Sequence, residues 1–329
     1  MMIESIIARL FENTGLGKID EPIISVPGGF MHRMYKVHAK DKYYAVKHLN
    51  HGIMARESAA GNFDRAETLE YCLEKAGIPI VPSLVLNGKK RQCIEGIFFY
   101  VFDWQEGKIT DWNSITSDQC FAAGNILGRI HSLERTETKT ETFEASVINW
   151  DEYADKANKT SNEIADVLFE NLQLLKYAEE QMNKARKSLP DICSISDEDM
   201  DPKNVMWNHG VPKVIDLECL DYGNPVSHVL QLSLQWAGIT TCNLNLTLVK
   251  AFFDGYFGAY DNGFKSYEDV FGLAYTWIEW LEYNICRALG TCADEAERLM
   301  GVNEVKNTIN RIQYIYKKED DIKNVLKQL

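Results

Sequence analysis

Three residues near the middle of the chain, Asp199, Asn204 and Asp216, are of the types that transfer of a phosphoryl group requires. One carboxylate must take the proton of an attacking hydroxyl, while an amide and a second carboxylate hold the metal ions that neutralise charge on the phosphates. They stand in Ser196-Asp197-Glu198-Asp199-Met200-Asp201-Pro202-Lys203-Asn204 and in Val214-Ile215-Asp216-Leu217-Glu218. Asp216 follows an apolar strand, Pro212 to Ile215, itself preceded by an Asn-His-Gly turn at Asn208 to Gly210. The segment reads as loop, strand, turn, strand and metal ligand.

The alternation of Asp197, Asp199 and Asp201 also suits a calcium loop. Such a loop needs glycine at its sixth position and a bidentate glutamate at its twelfth. Pro202 and Asn208 stand there, where the geometry is least forgiving. An acidic surface turn would explain the carboxylates but not their setting between apolar strands.

The elements that must position these residues fall into two regions. Residues 22 to 102 read as three strands, a helix and two strands. Ile23 to Val26 runs into Pro27-Gly28-Gly29, and Met34 to His38 with Tyr43 to Lys47 form a hairpin. Arg65 to Ala76 is a helix stopped by Gly77 and Pro79, and Ser83 to Leu86 and Ile97 to Phe102 flank an Asn87-Gly88 turn. Beyond Asp103 helical periodicity dominates, over Asp118 to Leu133, over Trp150 to Lys187, and through most of 226–329 with breaks at Gly263 and Gly290. The boundary falls near Phe102 to Gly107.

Composition narrows the function. The 329 residues, 45% hydrophobic and 25% charged, describe a globular protein of two domains or one large two-part unit. With 48 acidic against 35 basic side chains the formal charge is −13, which repels nucleic acid and anionic membrane and favours cationic small molecules. The eight cysteines are scattered without a C-x-x-C pair, as in a reducing compartment. The stripe Ile3, Ile6, Ile7 and Leu10 is interrupted by Glu4 and Arg9, unlike a signal peptide, and no stretch approaches the roughly 20 apolar residues of a membrane span. A cytoplasmic protein that binds neither membrane nor nucleic acid is expected.

Gly28-Gly29 between two strands would let backbone N–H groups approach phosphates, although a plain turn explains the pair equally well. Lys47 ends the strand Tyr43-Tyr44-Ala45-Val46-Lys47. A lysine aimed at phosphates needs a carboxylate partner, and the following helix offers Glu67, preferred for its place near the helix start, with Glu70 as the fallback.

In this order, the glycine turn, strand lysine, helical glutamate, catalytic loop and metal aspartate resemble the aminoglycoside phosphotransferase family of small-molecule kinases. The resemblance spans about residues 22 to 290. It is most specific at Asp199-x-Asp201-Pro202-x-Asn204-Val205-x-Trp207, at Ile215-Asp216-x-Glu218 and at Gly223-Asn224-Pro225. It implies an α+β, bilobal, protein-kinase-like fold, with a small β-rich N-lobe over 1–102 and a larger, mainly helical C-lobe over 103–329. By the same match Asp199 is the base, Asn204 and Asp216 bind magnesium and Lys47 contacts the phosphates of ATP. Adenine is expected on the backbone around Tyr100 to Phe102. The family usually carries histidine two residues before the catalytic aspartate, where this chain has Asp197. A carboxylate there could raise the Asp199 pKa. His32, where relatives carry a small polar residue, reads as a surface imidazole.

The helix Ala274 to Tyr283 is dense in aromatic and acidic residues. Helix packing explains Trp277 and Trp280. The functional alternative is a cationic acceptor gripped by Glu279 or Glu282, with Trp277 giving cation–π attraction. The expected activity is ATP- and magnesium-dependent phosphorylation of a hydroxyl on a small molecule, such as an aminosugar or an amino alcohol. A nucleotide-binding pseudokinase is the alternative, recommended only by Asp197.

Overall fold

The computed structural model describes residues 3–27, 32–133, 145–160 and 163–329. The chain forms two compact units, Met1–Ile109 with Lys203–Asp221, and Thr110–Pro202 with Tyr222–Leu329. This differs from a single cut after residue 102, because the segment holding Asn204 and Asp216 packs with the first unit.

The first unit is built on an antiparallel sheet of β1 (Ile24–Val26), β2 (Arg33–Ala39), β3 (Lys42–His48), β4 (Gln92–Ile94) and β5 (Ile97–Asp103), in the order β1-β2-β3-β5-β4. Alternation buries Tyr35, Val37, Tyr44, Val46, Phe99 and Val101 on one face. Helix α1 (Ile3–Asn13) covers that face with Ile6, Ile7, Leu10 and Phe11. The short α2 (His51–Met54) and the longer α3 (Ala59–Lys75) follow β3. Ala59 and Phe63 of α3 pack with Leu49 and with Tyr100 of β5. Lys47, one residue out of phase with Tyr44 and Val46, sits opposite Tyr100 in the β3–β5 register.

The partner hairpin strand of β5 is β4, not Ser83 to Leu86. The Asn87-Gly88 turn forms as expected, closed by Leu86 N–H to Lys89 C=O at 2.8 Å, but residues 83 to 86 make only isolated bridges. A second left-handed pair, Glu95 (φ 54°) and Gly96 (φ 80°), turns β4 into β5.

Strands β6 (Lys108–Ile109), β8 (Val205–Asn208) and β9 (Val211–Val214) form a small antiparallel sheet in the same unit. Val214 exchanges backbone hydrogen bonds with Pro79 and Val81, each 2.8 Å. The residues after β9 are thereby fixed close to the turn that ends α3.

The second unit contains α4 (Ser117–His131), α5 (Trp150–Lys159), α6 (Ala165–Lys187), β7 (Ser194–Asp197), α7 (Pro225–Trp236), α8 (Leu246–Phe257), α9 (Trp277–Ala288) and α10 (Glu295–Leu326). The final strand, β10 (Leu220–Gly223), carries the chain into α7. The helical pattern from Trp150 to Lys187 is divided between α5 and α6. Helices α4 and α8 approach backbone to backbone. A Cβ on Gly124 would lie 1.9 Å from the Phe252 carbonyl oxygen, and one on Gly255 2.0 Å from that of Phe121. Gly263 and Gly290 are both left-handed, at φ 77° and 106°, and interrupt the helical region as expected, Gly290 just past the end of α9 and Gly263 in the loop after α8. All eight cysteines are free. Among the described residues no helix is long and apolar enough to cross a membrane.

Candidate active site

In the first unit the strand lysine meets two carboxylates. Lys47 Nζ lies 2.6 Å from Asp216 Oδ1 and 2.7 Å from Glu218 Oε1, with its side chain only 7% exposed. Burial alone would lower the Lys47 pKa, but attraction by Glu218 and Asp216 outweighs it and raises the value, so the lysine is a cation. Burial pushes the Glu218 carboxyl up, and the nearby Lys47 and His32 bring it below its ordinary value.

The pairing depends on the backbone at Asp216, which is left-handed at φ 62° and ψ 57°. For a residue with a Cβ this conformation costs about 1 kcal/mol or more, and such strain persists where surrounding contacts hold it. It breaks the extended run after β9, so that residues 216 and 218 both reach Lys47. Asn204 is 5% exposed, and its carbonyl accepts the Ile215 N–H at 2.9 Å. Asn204 and the residue before Asp216 are therefore joined directly.

These are oxygen donors only. Among the described residues no group of three or more His, Cys, Asp and Glu side chains could hold a metal. One carboxylate and one amide do not make a zinc site. They fit magnesium, which keeps several waters and takes other oxygens from bound phosphates.

The expected ion pair between Lys47 and Glu67 is not formed. Glu67 accepts a hydrogen bond from the Tyr100 hydroxyl at 2.7 Å and lies 3.7 Å from Arg91. The fallback, Glu70, is buried, 3.0 Å from Lys90 Nζ and bonded to Ser83. Both helical carboxylates have local partners, and the two at the end of β9 reach the lysine instead.

His32 also departs from expectation. Its side chain is 9% exposed, its Nδ1 accepts the Asn50 N–H at 2.9 Å, and its Nε2 faces Glu218 at 3.1 Å. Since Nδ1 accepts, the proton of the neutral ring sits on Nε2 and points at Glu218. Gly28 and Gly29 lie outside the described residues. Tyr100 and Phe102 lie in β5, paired with β3 on one edge, while Val101 C=O accepts the Leu84 N–H at 2.7 Å on the other.

In the second unit Asp199, the expected base, follows β7. Its N–H donates to Asp197 Oδ1 at 3.1 Å, and Asp197 is fully buried. Trp236 of α7 donates its indole N–H to the Met200 carbonyl at 2.9 Å. Ser196 is bonded on one side to His131 of α4 and on the other to His228 of α7. His228 Nε2 lies 3.1 Å from Glu198, and the hydrogen bond from this imidazole holds the Glu198 carboxyl below its ordinary pKa.

The candidates on α9 are engaged within the unit. Glu279 makes a two-point pair with Arg186 at 2.7 and 2.8 Å, and Glu282 accepts from the Tyr153 hydroxyl at 3.0 Å. The Arg311 guanidinium stands 3.9 Å from the Trp277 ring centroid. These contacts fit the packing alternative for this helix.

A sheet lysine thus pairs with a left-handed aspartate in an α+β chain of kinase-like fold. The sequence pattern of the phosphotransferase enzyme family matches residues 23–263, and the chain belongs to that family. It is a small-molecule phosphotransferase. No curated protein sequence matches it. Among solved structures it is similar to a spectinomycin phosphotransferase in complex with ADP and spectinomycin, at 15% identity and a TM-score of 0.70 over 93% of this chain and 96% of that one. It is also similar to a choline/ethanolamine kinase family protein from Mesorhizobium loti, at 13% identity and a TM-score of 0.61 over 100% of both chains. An amicoumacin kinase in complex with AMP-PNP, calcium and amicoumacin shares 12% identity at a TM-score of 0.60, over 94% of this chain and 96% of that one. At these identities the likeness is one of fold.

Proposed function

We propose that the chain transfers the γ-phosphoryl group of ATP, with magnesium, to a hydroxyl of a small cationic molecule. The observation that carries this reading is the cluster of Lys47, Asp216 and Glu218, a buried cation set between two carboxylates on a strained backbone. With nucleotide bound, Lys47 contacts the phosphates while Glu218 keeps it in place. Asp216 and Asn204 are the residues that would hold magnesium, which would supply neutralisation of charge on the phosphates. Asp199 accepts the proton of the acceptor hydroxyl as its oxygen bonds to the γ-phosphorus. The bond from that phosphorus to the bridging oxygen breaks, and ADP leaves with the electron pair. Adenine is read by backbone at the C-terminal end of β5.

The binding-only alternative rests on Asp197. Its carboxylate accepts the Asp199 N–H, and that contact lets it brace the loop. This supports an enzyme over a scaffold.

A cationic acceptor is supported by the net charge of −13 and by the amino compounds named for the similar structures. The test is a screen with γ-labelled ATP against spectinomycin, choline, ethanolamine and neutral sugars. We expect magnesium-dependent labelling of at least one cation, with a KM that rises with salt as the Debye length falls from about 10 Å at 0.1 M to about 3 Å at 1 M. Labelling confined to neutral or anionic acceptors overturns the acceptor class. ATP binding without turnover on any acceptor overturns the enzyme in favour of a binding protein.

A further inference from the structure

The loop that carries Asp199 lacks the expected histidine, yet an imidazole reaches it from a different element. His228, on the first turn of α7, spans two side chains of the loop, Ser196 through Nδ1 and Glu198 through Nε2 at 3.1 Å. These flank Asp197, whose carboxylate takes the Asp199 N–H. We propose that His228 is a positioning residue for the Asp199 loop, fixing residues 196 and 198 so that Asp197 and Asp199 are presented in one arrangement. The assignment rests on Asp199 being the base.

Three observations support it. The helix carrying the ring starts rigidly, because Asn224 caps α7 by accepting the Val226 and Ser227 N–H groups at 3.0 and 3.3 Å. The ring also needs a glycine beside it, since a Cβ on Gly223 would lie 2.1 Å from His228 Cε1.

The third is that the hydrogen bonds run in one direction. Nε2 of His228 faces a carboxylate, so in the neutral ring it carries the proton and Nδ1 accepts from the Ser196 hydroxyl. Ser196 has then spent its one proton and must accept from His131 Nε2, 3.2 Å away. Nδ1 of His131 in turn accepts from the Tyr256 hydroxyl at 2.9 Å, and Tyr256 accepts from Asn262 at 3.4 Å. Every proton from Asn262 to Glu198 has an acceptor. His131 is 2% exposed, and burial, with His228 adding to it, holds its pKa well below the ordinary value, as a neutral link requires. A buried network satisfied at each member defines one geometry.

The test compares His228→Leu, His228→Gln and Glu198→Ala in the full chain, by amide hydrogen exchange of residues 197–200 and by steady-state kinetics. We expect His228→Leu to speed exchange in the loop by about tenfold or more, since the segment then opens locally. We expect its kcat to fall by about 10- to 100-fold with the KM for ATP nearly unchanged, because misplacing a reacting group costs rate rather than nucleotide binding. His228→Gln, whose amide can donate to Glu198 and accept from Ser196, should recover most of both losses, which filling space alone would not do. Glu198→Ala removes the exposed end of the network without disturbing the core, and should loosen the same amides. Wild-type exchange and wild-type kcat in His228→Leu overturn the proposal. Should that variant not fold, unchanged loop exchange in Glu198→Ala overturns it. If the wild type phosphorylates no acceptor, the proposed function fails, while exchange still decides whether His228 holds the loop.

Discussion

Lys47 Nζ lies 2.6 Å from Asp216 Oδ1, so the residue proposed to hold magnesium is held by the residue proposed to hold phosphate. Metal and phosphates arriving together would give each a new partner. Asp216→Ala should therefore keep the fold, because Lys47 retains Glu218 at 2.7 Å. It should lose the extra thermal stabilisation that ATP confers only with magnesium, which for a ligand at about 100 times its Kd amounts to about 2.7 kcal/mol. A shift that depends on magnesium as strongly as in the wild type would place the metal elsewhere.

Glu218 is the member of the cluster that most needs the lysine. Its side chain is 16% exposed and its neighbours are Lys47 and His32. Lys47→Met leaves this carboxylate with His32 alone and should cost about 3 kcal/mol of stability, the scale for breaking a buried pair from one side. Adding Glu218→Gln removes the stranded charge and should return more than half of the loss. Urea denaturation of both variants measures this. A double variant no more stable than the single one would mean that Glu218 does not depend on Lys47.

Asp199 is proposed to act on the acceptor and not on the nucleotide. Asp199→Asn should lower kcat by about 10²- to 10⁴-fold, the usual contribution of a general base, while ATP binding measured by titration stays within about twofold. The backbone N–H that donates to Asp197 is retained, so the loop should keep its shape. Turnover above half of the wild-type value would remove Asp199 from the role.

The sequence makes the strand lysine and the loop legible because each is set by local pattern. Alternation puts Lys47 on the face opposite Tyr44 and Val46, and the Asp199 to Asn204 spacing lies within one short segment. The choice of Glu67 as lysine partner fails because it depends on how α3 approaches β3, which spacing does not encode. Tyr100 and Arg91 compete for that carboxylate. Glu218 stands within the quoted motif, but its reach to Lys47 follows from the left-handed turn at Asp216, a conformation that aspartate does not announce. His228 was invisible for a similar reason, since it meets Ser196 and Glu198 only when α7 packs beside β7. The three-residue strand β4 is too short to show alternation, although Glu95-Gly96 marks the turn that follows it.

His131 gives stability a pH dependence of known sign. Its folded pKa lies well below the unfolded value of 6.5, because burial and His228 disfavour the cation. Below pH 6.5 the unfolded chain binds a proton at this residue and the folded chain does not, so acid favours unfolding. The contribution is fully present above 6.5 and is lost as pH falls towards the depressed value, by up to about 1.4 kcal/mol per pH unit. His131→Gln, which can still meet Ser196 but does not titrate, should flatten the stability profile between pH 6.5 and 5 relative to the wild type, whatever it costs at neutral pH. Denaturant midpoints across that range provide the measurement. If the two profiles fall in parallel, His131 binds a proton equally in both states, and the one-directional hydrogen-bond chain through Ser196 to His228 is wrong.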